Sequence, residues 1–279
     1  MSDIRKIKIP YHPCMDEGAH SKIARLHLPV AKKCNIKCGY CERKIDHNIQ
    51  RPGTCSSVIS PREALFEAKE FLKEWGDSSI IGIAGPGDPL YNVETFETIK
   101  LLNEHVPNIR ICLCTNGLKL YESIGFLVEA KVKHVSITIN GIDAGIVKKI
   151  HPFIHSDGFK IVGKKAAEIL IKNQLKAIES AVSNGIFIKI NSVVIPGLND
   201  FHLMDVAKKV SEIGAGIMNP MPLIPAGKFR DIKRPTSNFM DSIYNGCGKY
   251  IEVFKKCRQC RADARGIPGK ENCRWKKTA

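Results

Sequence analysis

Cys34, Cys38 and Cys41 stand at a spacing of three then two intervening residues, in Cys34-Asn35-Ile36-Lys37-Cys38-Gly39-Tyr40-Cys41. An apolar run from Ala24 to Val30 precedes them and ends just before Cys34. Three thiols are an informative count, because closed structural zinc sites use four protein ligands. A [4Fe-4S] cluster held by three thiolates leaves one iron open to a non-protein ligand, and an open iron invites a substrate. The other readings are a zinc site or a redox pair at Cys38 and Cys41, which the third cysteine fits poorly.

Further candidate ligands lie far from the triad in sequence. His12-Pro13-Cys14, then His20, stand near one end, and Cys257-Arg258-Gln259-Cys260 near the other. Cys112 and Cys114 share one face of a strand and point the same way. The chain has 11 cysteines in 279 residues. Met1 to Pro13 lacks the apolar stretch and cleavage site of a secretion signal, so a cytoplasmic location is expected, where metal explains the thiols better than disulfides.

Lys and Arg number 43 against 28 Asp and Glu, a net charge of +15. The basic residues are scattered in pairs such as Lys32-Lys33 and Lys208-Lys209, not gathered in an arm with interleaved aromatics, so nucleic acid is not an expected partner. The longest apolar runs, such as Ile80 to Ala84, are too short to cross a bilayer, so no membrane span is expected.

These candidates need a scaffold, and from about residue 58 strand and helix signals alternate. Ser60-Pro61-Arg62-Glu63 opens a helix that runs to Trp75 and stops at Gly76-Asp77. Strands are expected at Ile80 to Ala84, Ile109 to Cys114, His134 to Ile139, Phe187 to Ile195 and Ala215 to Asn219. Helices are expected at Val93 to His105, Leu120 to Ala130, Val162 to Asn184 and Asp200 to Ile213, with a loop through the 150s. Such a repeat implies parallel strands in a doubly wound sheet or a barrel, with function at the strands' C-terminal ends. The tail from Lys228 loses the repeat and reads as an irregular cap over the barrel mouth.

The triad, with the aromatic Tyr40 before its last cysteine, resembles the radical S-adenosylmethionine (SAM) superfamily. The resemblance implies an α/β partial TIM-type (β/α)6 barrel. It also implies that the open iron chelates SAM and that the reduced cluster cleaves it to methionine and a 5′-deoxyadenosyl radical, while the protein orients it and excludes water. Gly85-Pro86-Gly87-Asp88-Pro89 resembles the superfamily's glycine-rich element, whose backbone holds the methionine amino group; it also fits an ordinary strand-to-helix turn. Ser136, Thr138 and Asn140 alternate along one strand face where they could line the barrel and hydrogen-bond the ribose, and Asn191-Ser192 ends another strand. Buried polar structure is the other reading of these residues.

Within that superfamily the chain resembles the enzymes that make the iron-sulfur core of nitrogenase cofactors. The match runs through His12-Pro13-Cys14, Arg25 to Ala31, the triad, Arg51-Pro52-Gly53, Gly85 to Leu90, Thr115-Asn116-Gly117-Leu118 and Cys257 to Ala264. It implies the SAM-binding cluster plus two auxiliary [4Fe-4S] clusters, fused with carbide and sulfide into an eight-iron, nine-sulfur precursor. By motif, Cys14, Cys257 and Cys260 would bind one auxiliary cluster, and His20 with Cys112 part of the other. The implied partners are iron-sulfur cluster donors, cofactor carriers or scaffolds, and an electron donor such as ferredoxin. The chain stops just after the last motif, so a short form without the family's carrier domain is expected.

One loop departs from the family. Where relatives carry a cysteine after Arg-Lys-x-Asp, this chain has His47, after Arg43-Lys44-Ile45-Asp46. His47 is therefore a candidate iron ligand, since imidazole replaces thiolate in Rieske centres and raises the potential. Cys55 and Cys114 are the alternatives. The expected organisation is a single domain with an N-terminal cluster-binding extension at 1–33, a barrel core at 34–225 and a C-terminal cluster-binding cap at 226–279. Two other functions stay open: a radical SAM enzyme with auxiliary clusters acting on a peptide or organic substrate, and an iron-sulfur scaffold or carrier.

Overall fold

The computed structural model describes residues 7–270. Its main sheet contains six parallel strands: β1 (Arg25–His27), β2 (Ile80–Ile83), β3 (Ile111–Thr115), β4 (His134–Thr138), β5 (Phe187–Val194) and β6 (Ile217–Pro222). They lie side by side in sequence order. An order without reversal is that of a barrel, not of a doubly wound sheet, whose order turns back at a switch point. No pairing joins β6 to β1 among the described residues, so the barrel is partial.

Period-two alternation decides which side chains meet the helices and which meet the interior. Leu26, Ile81, Ile83, Leu113, Val135, Ile137, Ile188 and Ile190 belong to the main core cluster. Their neighbours His27, Gly82, Cys112, Cys114, Ser136, Thr138, Lys189 and Asn191 face the cavity. The helix Pro61–Trp75 buries Ala64, Ala68 and Phe71. It starts at a reciprocal cap, in which the Ser60 hydroxyl accepts from the Glu63 N–H and the Glu63 carboxylate accepts from the Ser60 N–H at 2.7 Å. Gly76, at φ +80°, ends it in a conformation that favours glycine.

The expected loop through the 150s is structured. Ala144–Ile150 is a helix, and Phe153–Ser156 and Phe159–Val162 form an antiparallel hairpin. Its turn is Asp157-Gly158 with φ values of +51° and +82°, the left-handed pair whose twist matches flanking strands. Asp-Gly is a hairpin signal even where, as here, the strands are short and the second is mostly solvent-facing. The hairpin matters because Ile36–Lys37, inside the triad, pairs with Phe153–Ile154 as a third strand.

The tail is also more ordered than the lost repeat suggested. Ser237–Cys247 is a helix with Thr236 as its N-cap. Beyond it, Val253 bridges Met218 of β6, and Arg265–Gly266 pairs antiparallel with β1. One segment thus reaches both edges of the sheet, with Cys257 and Cys260 between its two attachments. The sheet accordingly draws on both stretches expected to be extensions, since β1 precedes residue 34 and its antiparallel partner follows residue 226. Among the described residues no helix is long and apolar enough to cross a membrane.

Candidate functional site

Inward-facing positions of the strands and the loops above them enclose a cavity of about 280 Å³. Eight cysteines line it: the triad, Cys112 and Cys114 from β3, Cys14 from the N-terminal loop, and Cys257 and Cys260 from the tail. Cys14 and the tail cysteines, more than 240 residues apart, lie near enough for their charges to act on one another.

The triad loop is held from both sides. Gly39 N–H donates to Ile150 O at 2.8 Å and His155 N–H to Asn35 O at 2.6 Å. Tyr40 hydroxyl interacts with the Cys38 sulfur and accepts from Asn140 Nδ2 at 2.9 Å. Burial pushes the Cys34 thiol up to about 11, with nearby Asp88 adding to the effect, and raises Cys38 further above its ordinary value. Burial also lifts Cys14 and Cys114 to about 11. Thiols buried like this stay neutral unless a cation joins them, and iron bonded to sulfur supplies that charge.

Among the described residues no group of three or more His, Cys, Asp or Glu forms a ready site for a single metal ion. The thiolates of a [4Fe-4S] cluster hold different irons, and the cysteines that line the cavity are the donor type such clusters use.

The glycine-rich segment packs on the chain entering the triad. Gly87 N–H donates to Ala31 O at 2.6 Å and Asp88 N–H to Lys33 O at 2.8 Å. A methyl on Gly87 would lie 2.0 Å from the Lys33 carbonyl oxygen, so only glycine fits. The Asp88 carboxylate accepts from Asn116 N–H at 2.6 Å and from the Thr115 hydroxyl at 2.8 Å. Burial nevertheless raises it to about 6, against those hydrogen bonds. Pro86, Gly87 and Asp88 line the cavity; Gly85 does not.

Ser136, Thr138 and Asn191 also line it, but Asn140 and Ser192 belong to the wall behind. Asn140 accepts from Val193 N–H at 2.8 Å besides holding Tyr40. Ser192 follows inward-facing Asn191, so alternation turns it to the other face, where its hydroxyl donates to Ile139 O.

The histidines differ most from expectation. His20 does not line the cavity; its Nδ1 pairs with Pro13 O at 2.6 Å and its ring meets Phe254 edge-on. His47 is exposed and outside it, because the Asp46 carboxylate accepts from Asn48 and Ile49 N–H and curls the loop toward solvent. His27 and His12 face the cavity instead. His27 Nδ1 lies 2.9 Å from Arg261 O, which can only accept, so the proton is on Nδ1 and Nε2 keeps its lone pair. That Nε2 and Cys112 Sγ each lie 3.4 Å from the point a Gly82 methyl would occupy. A histidine with one ring nitrogen fixed by a carbonyl and the other free beside a thiol is a ready metal ligand. Of the two alternative cysteines, Cys114 lines the cavity and accepts from Asn191 Nδ2 at 3.5 Å, whereas Cys55 is buried elsewhere. Sequence reasoning also passed over Lys189, which shares Asn191's face, lines the cavity and donates from its ammonium to Cys14 O.

A barrel with a triad loop at its mouth defines a radical SAM protein, and the sequence match agrees: the Radical SAM superfamily profile covers residues 28–210. The chain belongs to that superfamily and, within it, to the NifB family. It is 41% identical over 270 residues to the FeMo cofactor biosynthesis protein NifB of Chlorobaculum tepidum, covering 95% of this chain and 64% of that one. It is 42% identical over 258 residues to the protein of the same name from Methanocaldococcus jannaschii, covering 92% and 86%. The chain therefore spans less than two thirds of the first relative's length and most of the second's. Among solved structures it resembles a radical SAM methyltransferase from Sphaerobacter thermophilus, with TM-score 0.57 and 16% identity over 90% of this chain and 68% of that one. It also resembles anSMEcpe with bound AdoMet, with TM-score 0.56 and 22% identity over 82% and 60%.

Proposed function

We propose that this chain is a radical SAM enzyme of nitrogenase cofactor assembly, which fuses two [4Fe-4S] clusters with carbide and sulfide into an eight-iron, nine-sulfur, carbon-centred precursor. The observation that carries this reading is the gathering of eight cysteines from four separate segments around one cavity, in a chain about 40% identical to NifB proteins.

Cys34, Cys38 and Cys41 hold the SAM-binding cluster. Cys14, Cys257 and Cys260 hold one substrate cluster, and Cys112 with His27 the other, Cys114 standing beside them. Bound SAM with its cluster supplies the radical and the methyl carbon. The chain's own residues position and shield it: the Gly87 backbone fixes the triad loop, Tyr40 steadies Cys38, and Ser136, Thr138 and Asn191 offer hydrogen bonds along the wall. Lys189 supplies positive charge to anionic cargo. The proposed ligands outside the triad thus come from the N-terminal stretch at 1–33, from β3 within 34–225 and from the tail at 226–279. The partners are cluster donors, a cofactor carrier or scaffold and a ferredoxin-type reductant, in the cytoplasm.

Anaerobic iron reconstitution, with Mössbauer counting of clusters and assay of 5′-deoxyadenosine under dithionite, tests the reading. Three clusters and SAM cleavage are expected, and replacing Cys38 by Ala should abolish cleavage while other iron stays bound. Cleavage that persists in Cys38→Ala sinks the triad assignment. Clusters without any cleavage in the unaltered protein would make it a scaffold, and cleavage without a carbide-containing product would point to another substrate.

A further inference from the structure

Arg25 is a buried cation that the proposed chemistry leaves without a role. It opens β1 on the same strand face as His27 and is 1% exposed. Both directions of its planar fork end on the tail. Nη1 donates to Gly266 O at 2.6 Å and Nη2 donates to Cys260 Sγ at 2.9 Å. A guanidinium is always charged, so taking it out of water is costly unless anionic or strongly polar acceptors surround it. A thiolate is such an acceptor.

We infer that Arg25 is a positioning residue for the cluster held by Cys14, Cys257 and Cys260, donating a charged hydrogen bond to the Cys260 sulfur that raises the cluster's reduction potential. The inference rests on the reading that these three thiols share a cluster. Hydrogen bonds to ligating sulfur and local positive charge are among the factors that set iron-sulfur potentials. A sulfur sharing its electrons with an N–H also binds iron less strongly, which makes Cys260 the ligand most ready to let go when the cluster is consumed. Two features make the geometry specific to arginine. The fork spans two acceptors six residues apart on the tail, and a lysine ammonium is a point charge that does not reproduce both bonds.

The test is a dithionite redox titration of the reconstituted holoenzyme followed by electron paramagnetic resonance. The signal absent from Cys257→Ala but present in the unaltered protein belongs to this cluster. In Arg25→Gln that signal should persist with its reduced-to-oxidised ratio lowered about tenfold at a fixed potential, about 59 mV for a one-electron couple. Arg25→Lys should shift it in the same direction by less. A signal that is lost in Cys257→Ala but titrates unchanged in both Arg25 variants overturns the role of Arg25 and leaves the cluster standing. No difference between Cys257→Ala and the unaltered protein overturns the cluster reading itself. If neither Arg25 variant folds, the bond can be sought in the unaltered holoenzyme as an exchangeable proton coupled to this cluster in electron-nuclear double resonance. Loss of such a coupling in D2O supports the bond, and its absence in H2O overturns the proposal.

Discussion

At the scale of single residues, the histidines separate what spacing can tell from what it cannot. The triad and the tail pair, all of which line the cavity, stood out in the sequence because cysteine spacing carries its own chemistry, however the chain folds. His20 was carried over from the family motif and His47 from its place in a family loop, and neither criterion knows which way a side chain faces. His27 meets Cys112 only because strand alternation and the β1–β2–β3 register align His27, Gly82 and Cys112 across the sheet. We therefore expect His27→Ala to lose about one cluster's worth of iron after anaerobic reconstitution, and His20→Ala and His47→Ala to retain it. Iron analysis of the three variants decides, and full iron in His27→Ala would return the second cluster to a different ligand set.

At the scale of elements, loops that look like turns in sequence are fastened to one another by specific bonds. Replacing Gly87 by Ala sets a methyl against the Lys33 carbonyl oxygen, which belongs to backbone and has little room to yield. Overpacking of this kind costs about 1–3 kcal/mol, and it falls on the loop that enters the triad. SAM affinity of the reconstituted protein, measured by equilibrium binding, should fall about tenfold or more, and thermal unfolding should shift down by a few degrees. The loop after the triad has its own fastening. Arg261 donates to the Asp263 carboxylate at 2.7 Å and to the carbonyls of Ile49 and Asp46, and Asp263 accepts from Ser56 N–H at 2.6 Å. Burial pushes Asp263 up, but Arg261 and Ser56 outweigh it and hold the carboxyl below its ordinary value. Asp263→Asn leaves a buried cation without its counter-charge, which costs about 3–5 kcal/mol. The urea midpoint of the iron-free protein should drop accordingly. Most helices and barrel strands were legible within a few residues because their periodicity is strong. The Asp157-Gly158 hairpin was not, since its second strand is largely exposed and lacks an apolar rhythm.

At the scale of the whole molecule, burial makes the iron-free protein sensitive to acid. His151 lies behind the cavity wall, 3.3 Å from Asn140 Nδ2, and burial lowers its pKa from 6.5 to about 4. The folded state thus favours the neutral ring. Its contribution is intact above pH 6.5 and is lost as pH falls toward 4, on the order of 3 kcal/mol at the lower end by 1.36 kcal/mol per pKa unit. Urea titrations at pH 7, 5.5 and 4 should show the loss, and His151→Gln should flatten the slope between them. An unchanged slope in that variant would remove His151 as a source.

The path of the tail also bears on how the protein is made. Translation delivers Cys14 and the triad early and Cys257 and Cys260 only after all six barrel strands. A nascent chain still short of residue 253 has the triad's ligands but has neither tail attachment to the sheet edges. The proposed ligand sets are therefore completed in a fixed order. The triad is whole once residue 41 has been made, whereas the set proposed to join Cys14 with Cys257 and Cys260 needs the chain to have reached residue 260 and to have folded back on the sheet.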